Sequence, residues 1–401
     1  MAEGKVGFRV LIVGGGNCGL AIATGLKKAG ISYTVFERDT EETFKDSVRN
    51  WGMVLHWGTE YFEKLLPDHL LSRIEETRVD PSIDALSSVP QIKADTGAVM
   101  YAIPMPVANR VSRAKIRKLL LGDGLDIKFG KKLQSISVEG PGVSLAFDDG
   151  IVESGDMVIG CDGPNSVVRK FLVGAEAAQG HDVGGTMINA VGEGYSPAEA
   201  RLLRSPHPIM QLGYDHPAVD GAALVAALDI PDPQDPAQWK FQAYTSWAGP
   251  PYAKDLQDPK ERMTYVRERM AHFCEPFRTA FLALAEDKVL PVYAANQWAP
   301  RTKWDNYRGR VTLAGDAAHS MLPNRGQGLN NALKDASDLV DAIKAAVASG
   351  SSDLSEGITV YEEEMRARGT KEVDLSYEAW MTTRNKKTFD SPLFKFGYTR
   401  T

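Results

Sequence analysis

The sequence predicts an α/β fold: a parallel sheet, interrupted by an antiparallel sheet and closed by a C-terminal helix. Two observations carry this. A buried-strand run at Phe8 to Val13 passes through Gly14-Gly15-Gly16-Asn17-Cys18-Gly19 into helix-spaced Leu20, Ala21, Ala23 and Leu26. The middle of the chain instead holds short apolar segments broken by prolines. Strand and helix units around a β-rich insertion imply a Rossmann-like dinucleotide-binding domain with a second sheet spliced in.

Taken in order, Gly30 stops the first helix, and Tyr33 to Phe36 is a second strand that ends in Glu37-Arg38. Trp51 to Leu66 reads as a helix closed by Pro67, and Ile83 to Met105 as an antiparallel excursion. Helical spacing returns at Arg113 to Leu121. A meander through Leu133, Ile136, Val138, Leu145 and Phe147 follows, punctuated by Pro141-Gly142 and Asp149-Gly150. Met157 to Gly160 is another buried strand. Thr186–Val191, Ile209–Tyr214, Ala222–Ile230 and Phe241–Trp247 form the inserted sheet, with helices expected at Asp258–Cys274 and Ser355–Glu378. The expected division is a discontinuous cofactor domain at 1–82, 106–183 and 300–401, with a substrate domain at 83–105 and 184–299.

Composition narrows the function. The 401 residues are 43% hydrophobic, enough for a large core, and carry 46 basic against 52 acidic side chains. That balance offers nucleic acid no basic stripe. The basic cluster Arg384, Lys386, Lys387, Lys395 and Arg400 reads as solvated tail. With 3 Cys and 7 scattered His, neither a disulfide framework nor a metal site is expected. No apolar run approaches the roughly 18 residues of a membrane span, and the short polar start leaves no signal peptide. The expectation is a soluble cytoplasmic protein.

Three motifs carry chemistry. In the first, Gly14 permits a tight turn, Gly16 admits a pyrophosphate, and Gly19 packs helix on strand. Glu37 stands where a carboxylate accepts from ribose hydroxyls, with Arg38 beside it; an acid there disfavours a 2′-phosphate. Cys18 reads as a small packing residue under the pyrophosphate. The second motif is Gly160-Cys161-Asp162-Gly163-Pro164-Asn165-Ser166, followed by Val168-Arg169. The third runs from Gly309 to Asp335: a short strand, Gly315-Asp316, a proline loop, then a glycine-flanked helix start at Gly326, Gly328 and Asn330. An aspartate at a strand end accepts from a ribose or ribityl hydroxyl, and N–H groups at a helix start face negative charge.

In this order the motifs resemble the FAD-binding signature of group A flavoprotein monooxygenases, across about Phe8 to Arg368. Val48 to Trp57 and Arg308 to Leu333 are most similar to salicylate-hydroxylase-like and fungal natural-product members. The resemblance implies one non-covalent FAD, with Asp162 near it, Asp316 on its ribityl chain and Pro323 beside the isoalloxazine. It turns the backbone of Gly328, Leu329 and Asn330 toward the flavin N1/O2 edge. It also brings Arg113 to the flavin side chain, and Arg49 to a cofactor-facing position as a catalytic candidate. His319 orders the loop in such proteins. Asn331 is a departure, since relatives often carry histidine there.

With a single dinucleotide fingerprint, the resemblance implies NAD(P)H as a transient co-substrate. FAD reduction, reaction with O2 and a C4a-hydroperoxide would then hydroxylate an aromatic or epoxidise an alkene, in the manner of secondary metabolism. The substrate pocket is expected between the inserted sheet and the flavin, with Tyr214 as a catalytic candidate and Trp247 and Tyr293 as substrate contacts. A flavin-dependent oxidase or dehydrogenase on the same fold, or a non-enzymatic FAD-binding regulator, are the alternatives. A halogenase is disfavoured, because no tryptophan-rich G-W-x-W-x-I-P segment is present.

Overall fold

A computed structural model describes residues 7–84, 86–140, 142–350, 353–384, 390–391 and 394. Lys386, Lys387, Lys395, Arg400 and the side chain of Arg384, expected as solvated tail, lie outside the described residues.

The first sheet is parallel throughout. Its strands lie in the order Val311–Leu313, Met157–Gly160, Arg9–Val13, Ser32–Phe36 and Ile127–Lys128. The inner strands are solidly apolar because both faces are covered, one by the Asn17–Lys28 helix and the other by the three-stranded meander that carries Phe147 and Gly155. Val10, Leu11, Ile12, Val158, Ile159 and Val311 are all 0% exposed. Helix Asn17–Lys28 packs on the long helix Gly328–Ala348, and Gly25 allows the approach: a Cβ there would lie 2.5 Å from a Leu65 methyl and 2.9 Å from Val340.

The second sheet has eight strands, ordered Val292–Gln297, His181–Gly192, Lys240–Ala248, Ala222–Asp229, Met210–Tyr214, Leu86–Lys93, Val99–Ser112 and Gly52–Leu55. Every pairing is antiparallel except one: Met210–Tyr214 runs parallel to Leu86–Lys93. The meander forms a separate three-stranded sheet. Helices Pro259–Met270 and Phe277–Leu282 cover one face of the large sheet, and Phe277 packs where a side chain at Gly213 would be.

One expected helix needs correcting. Trp51 to Leu66 is not one helix. Gly52–Leu55 pairs with Asn109 to Ser112 as an edge strand, and the helix is only Thr59–Leu65. Backbone pairing with a distant strand outweighs the local helical period there. Gly52–Leu55 thereby joins the large sheet, whose strands Val99–Ser112 and His181–Gly192 are continuous. The C-terminal helix extends to Arg384, beyond the expected Glu378.

Candidate functional site

The chemistry-bearing loops leave the carboxyl ends of four neighbouring parallel strands. Val13 leads to Gly14, Phe36 to Glu37, Gly160 to Cys161-Asp162, and Leu313 to Gly315-Asp316. From the Arg9–Val13 strand the chain goes to one side, and Met157–Gly160 lies on the other, so the loops part there. A ligand crevice belongs at that switch point.

The glycines divide by task. Gly14 has φ +106°, and a Cβ on it would lie 2.3 Å from the Cys161 carbonyl oxygen. At Gly19 a Cβ would lie 2.1 Å from the Gly14 carbonyl oxygen, so helix and loop touch through backbone alone. Gly16 has nothing within 4 Å of a Cβ position, and it caps a helix N-terminus. Closed packing under the loop and open space above it fit a pyrophosphate.

Glu37 is buried; one oxygen accepts from Gly15 N at 2.7 Å and the other from Asp39 N at 2.9 Å. Its carboxylate therefore holds the glycine loop. Arg38 is exposed beside Asp39. Asp162 caps the Val167–Val173 helix, accepting from Val167 N at 2.6 Å and Val168 N at 3.3 Å; burial pushes its pKa up against these bonds. Arg169, 1% exposed, donates to Ala178 O and Ala317 O at 3.1 Å each and stacks 4.6 Å from the Trp298 ring centroid. It ties the Asp162 loop to the Asp316 loop. Cys18 is half-buried against Ala332 O, and its bond to Cys161 and burial raise its pKa, so it stays a thiol.

Asp316 and Pro323 are exposed, and Gly328 is half-exposed, although all three stand in an otherwise buried segment. A Cβ on Gly328 would lie 4.0 Å from Asp316 Oδ1, which places the helix start against that carboxylate. The N–H groups of Gly328, Leu329 and Asn330 open the 21-residue helix, so they precede its first i→i−4 bond, from Asn331 N to Gln327 O at 3.1 Å. The Asn330 side chain is spent elsewhere. Its oxygen accepts from His56 N and Gly58 N at 3.0 Å each, and its nitrogen donates to Val54 O at 3.0 Å. It clamps the helix start to the 54–58 turn. Nothing in the 54–58 stretch flags this clamp, so it was missed from sequence. Asn331 accepts from Arg368 Nη1 at 2.6 Å, which gives this departure from the relatives a structural partner.

Four residues close the crevice toward the large sheet. Arg113 stacks 5.5 Å from the Trp51 ring centroid and donates to Arg49 O at 2.9 Å. The Trp51 ring meets Tyr293 edge-on at 6.1 Å. Burial raises the Tyr293 pKa, while Arg49 beside its hydroxyl works the other way. Arg113 in turn feels Asp316, which opposes the burial that lowers its own pKa.

Strand alternation sorts the remaining aromatics. Tyr293 pairs with Met187, Met187 with Ser246, Ser246 with Ala222, and Leu224 with Leu212. Tyr214, two residues past Leu212, therefore shares the Tyr293 face, and it is 2% exposed. Trp247 is one residue out of phase and lies on the opposite face. Its ring packs against Tyr265 at 5.3 Å, and Arg269 lies 4.9 Å from its ring centroid; its Nε1 donates to Pro251 O at 2.9 Å. The substrate expectation for Trp247 is thus corrected: it belongs to the core behind the sheet.

Comparison with known proteins agrees with this site. The FAD binding domain family matches residues 8–207 and 277–376. The FAD-dependent monooxygenase phnB of Penicillium herquei is 33% identical over 398 residues, 97% of this chain and 94% of that protein. The FAD-dependent monooxygenase dbaB of Emericella nidulans is 35% identical over 84% of this chain and 87% of its own length. Among solved structures, 2,6-dihydroxypyridine-3-hydroxylase of Arthrobacter nicotinovorans shares the fold with a TM-score of 0.75 at 21% identity, covering 97% of this chain and 96% of that one. An open crevice at the strand ends, motif loops braced from beneath and near full-length similarity identify this chain as a member of the FAD-dependent monooxygenase family.

Proposed function

We propose that this enzyme uses NAD(P)H and O2 to place one oxygen atom on a small electron-rich organic substrate, with hydroxylation ahead of epoxidation. The observation that carries the reading is the opposition of two surfaces. On one side stand the exposed Asp316 and Pro323; on the other, the Tyr293 face of the large sheet, linked by Arg113, which lies over Trp51 and feels both Asp316 and Tyr293. When bound, FAD would supply the redox chemistry between the nicotinamide donor and O2.

The chain's own residues position and protect. Gly14, Gly16 and Gly19 seat the pyrophosphate, Glu37 and Arg38 flank the adenosine, and Arg113, Asp162 and Asp316 hold the ribityl side. The N–H groups of Gly328, Leu329 and Asn330 present the positive end of a helix dipole to the pyrimidine edge, with Pro323 beside the ring. Arg49 guides the donor. Tyr293 closes the substrate side with a hydroxyl that burial keeps protonated, and Tyr214 stands deeper on the same face. We take 1–82, 106–183 and 300–401 as the FAD-binding unit, and 83–105 and 184–299 as the substrate unit. The 3 free cysteines support a reducing, cytoplasmic setting. No described helix is long and apolar enough to cross a membrane.

Screening metabolites for stimulated NAD(P)H oxidation, then turnover under ¹⁸O₂, tests the reading. One labelled atom in the product is expected. An unlabelled, dehydrogenated product with equimolar hydrogen peroxide would identify an oxidase.

A further inference from the structure

Arg325 is 0% exposed in the turn that joins Pro323 to the Gly328–Ala348 helix. Its Nη1 donates to Glu372 Oε2 at 2.6 Å, from the Ser355–Arg384 helix, and Glu372 is 3% exposed. The Nε and Nη2 donors of Arg325 have no hydrogen-bond partner among the described residues. A guanidinium does not lose its proton inside a protein, so Arg325 and Glu372 form a buried ion pair in which two of the guanidinium's donors lack an acceptor among the described residues.

The Arg325 guanidinium lies next to the start of the helix. His56, 6% exposed, is pushed down to about 4, first by burial and second by Arg325. His56 Nε2 is 3.2 Å from the nitrogen of Asn330, and Asn330 belongs to the first turn of the same helix. The Arg325 cation and the positive end of the helix dipole therefore act on the same end of the crevice.

We propose that the Arg325–Glu372 pair sets the reduction potential of the bound flavin, Arg325 raising it and Glu372 holding it back. The idea rests on the reading that the Pro323–Asn330 segment faces the isoalloxazine. Hydride transfer from the donor leaves oxidised nicotinamide and adds one net negative charge to FAD. A buried cation favours that charge, and an anion opposes it. The pair joins two segments 47 positions apart, and only their packing brings the opposing charges together.

The test uses FAD-loaded protein reduced slowly and anaerobically beside a reference dye, with the oxidised-to-reduced FAD ratio read from absorbance. Arg325→Met should leave FAD about tenfold more oxidised at the dye midpoint, and Glu372→Gln about tenfold more reduced; tenfold is about 30 mV for a two-electron couple. Arg325→Lys, which keeps the charge, should stay near the parent. Shifts of Arg325→Met and Glu372→Gln in the same direction, no shift, or an Arg325→Lys shift as large as that of Met would overturn the proposal. If Arg325→Met does not fold, Glu372→Gln and Arg325→Lys still decide. Asn330→Ala separates the two readings. If it alters the visible spectrum of bound FAD while the charge variants leave the ratio unmoved, the segment faces the flavin and only the tuning fails. If the spectrum and the ratio are both unmoved, the placement fails and the tuning with it.

Discussion

His319 Nε2 and Asp335 Oδ2 lie 2.6 Å apart, with both side chains at 0% exposure. The same carboxylate oxygen accepts from Gly315 N at 2.8 Å, and its partner oxygen accepts from Arg368 Nη2 at 2.6 Å. Burial pushes the Asp335 carboxyl up, but the bonds from His319 and the Arg368 guanidinium win and hold it well below the usual carboxylate range. His319 is thus a brace for the Gly315-Asp316 turn, locked away from the crevice. Asp335→Ala should cost about 1–3 kcal/mol in urea unfolding for each buried donor it strands, because Gly315 N and His319 lose their acceptor, while Arg368 keeps Glu364. A loss below about 1 kcal/mol would mean the surroundings supply another acceptor.

Gly14 and Gly16 are two residues apart and should respond in opposite ways. Gly14→Ala meets the Cys161 carbonyl and a positive φ, the latter alone costing about 1–3 kcal/mol, so the apo protein should unfold more easily. Gly16→Ala has open space around the new methyl and should leave apo stability unchanged. The methyl would stand where the pyrophosphate approaches, weakening FAD about tenfold or more, or about 1.4 kcal/mol. Thermal unfolding and FAD titration of the two variants read this contrast directly.

Asp316→Ala should weaken FAD by about 1.5–3 kcal/mol, the range for a hydrogen bond to a charged acceptor. Asp316 is exposed and its carboxylate accepts no hydrogen bond from a described residue, so folding should be spared. Equal FAD affinity in a folded variant would remove Asp316 from the cofactor site.

His56 makes stability fall in mild acid. Its folded pKa is about 4 against 6.5 in the free side chain. Between those values the unfolded chain takes up a proton that the folded chain refuses. Stability should therefore be intact above pH 6.5 and should decline as pH falls toward 4. From pH 7 to 5 the loss from this one group is about 2 kcal/mol, at about 1.4 kcal/mol per unit. Urea unfolding of His56→Gln should lack that component, since an amide oxygen can still accept from Asn330.

Arg49 is exposed, and its backbone oxygen, not its side chain, receives the bond from Arg113. Arg49→Ala should therefore retain FAD while slowing flavin reduction about tenfold, as loss of about 1.4 kcal/mol of transition-state binding would. Stopped-flow reduction across donor concentrations measures it; an unchanged rate would leave Arg49 a surface charge.

The sequence by itself determined the parallel sheet and its glycine loop, because local pattern and local turn chemistry carry those features. Phe8 to Val13, the G-x-G-x-x-G stretch and Glu37 all lie within one βαβ unit, where spacing translates directly into geometry. The helix at Arg113–Leu121 was equally legible from its period. Only the tertiary structure decided which face Trp247 takes, since sheet register turns on single-residue steps that composition does not encode. It also decided that Gly52–Leu55 is a strand, because its partner lies more than fifty residues away. The Asn330 clamp on the 54–58 turn and the Arg325–Glu372 pair exist for the same reason. Each joins residues far apart in sequence that meet only when their segments pack on one core, and a buried polar group takes whichever partner that packing provides.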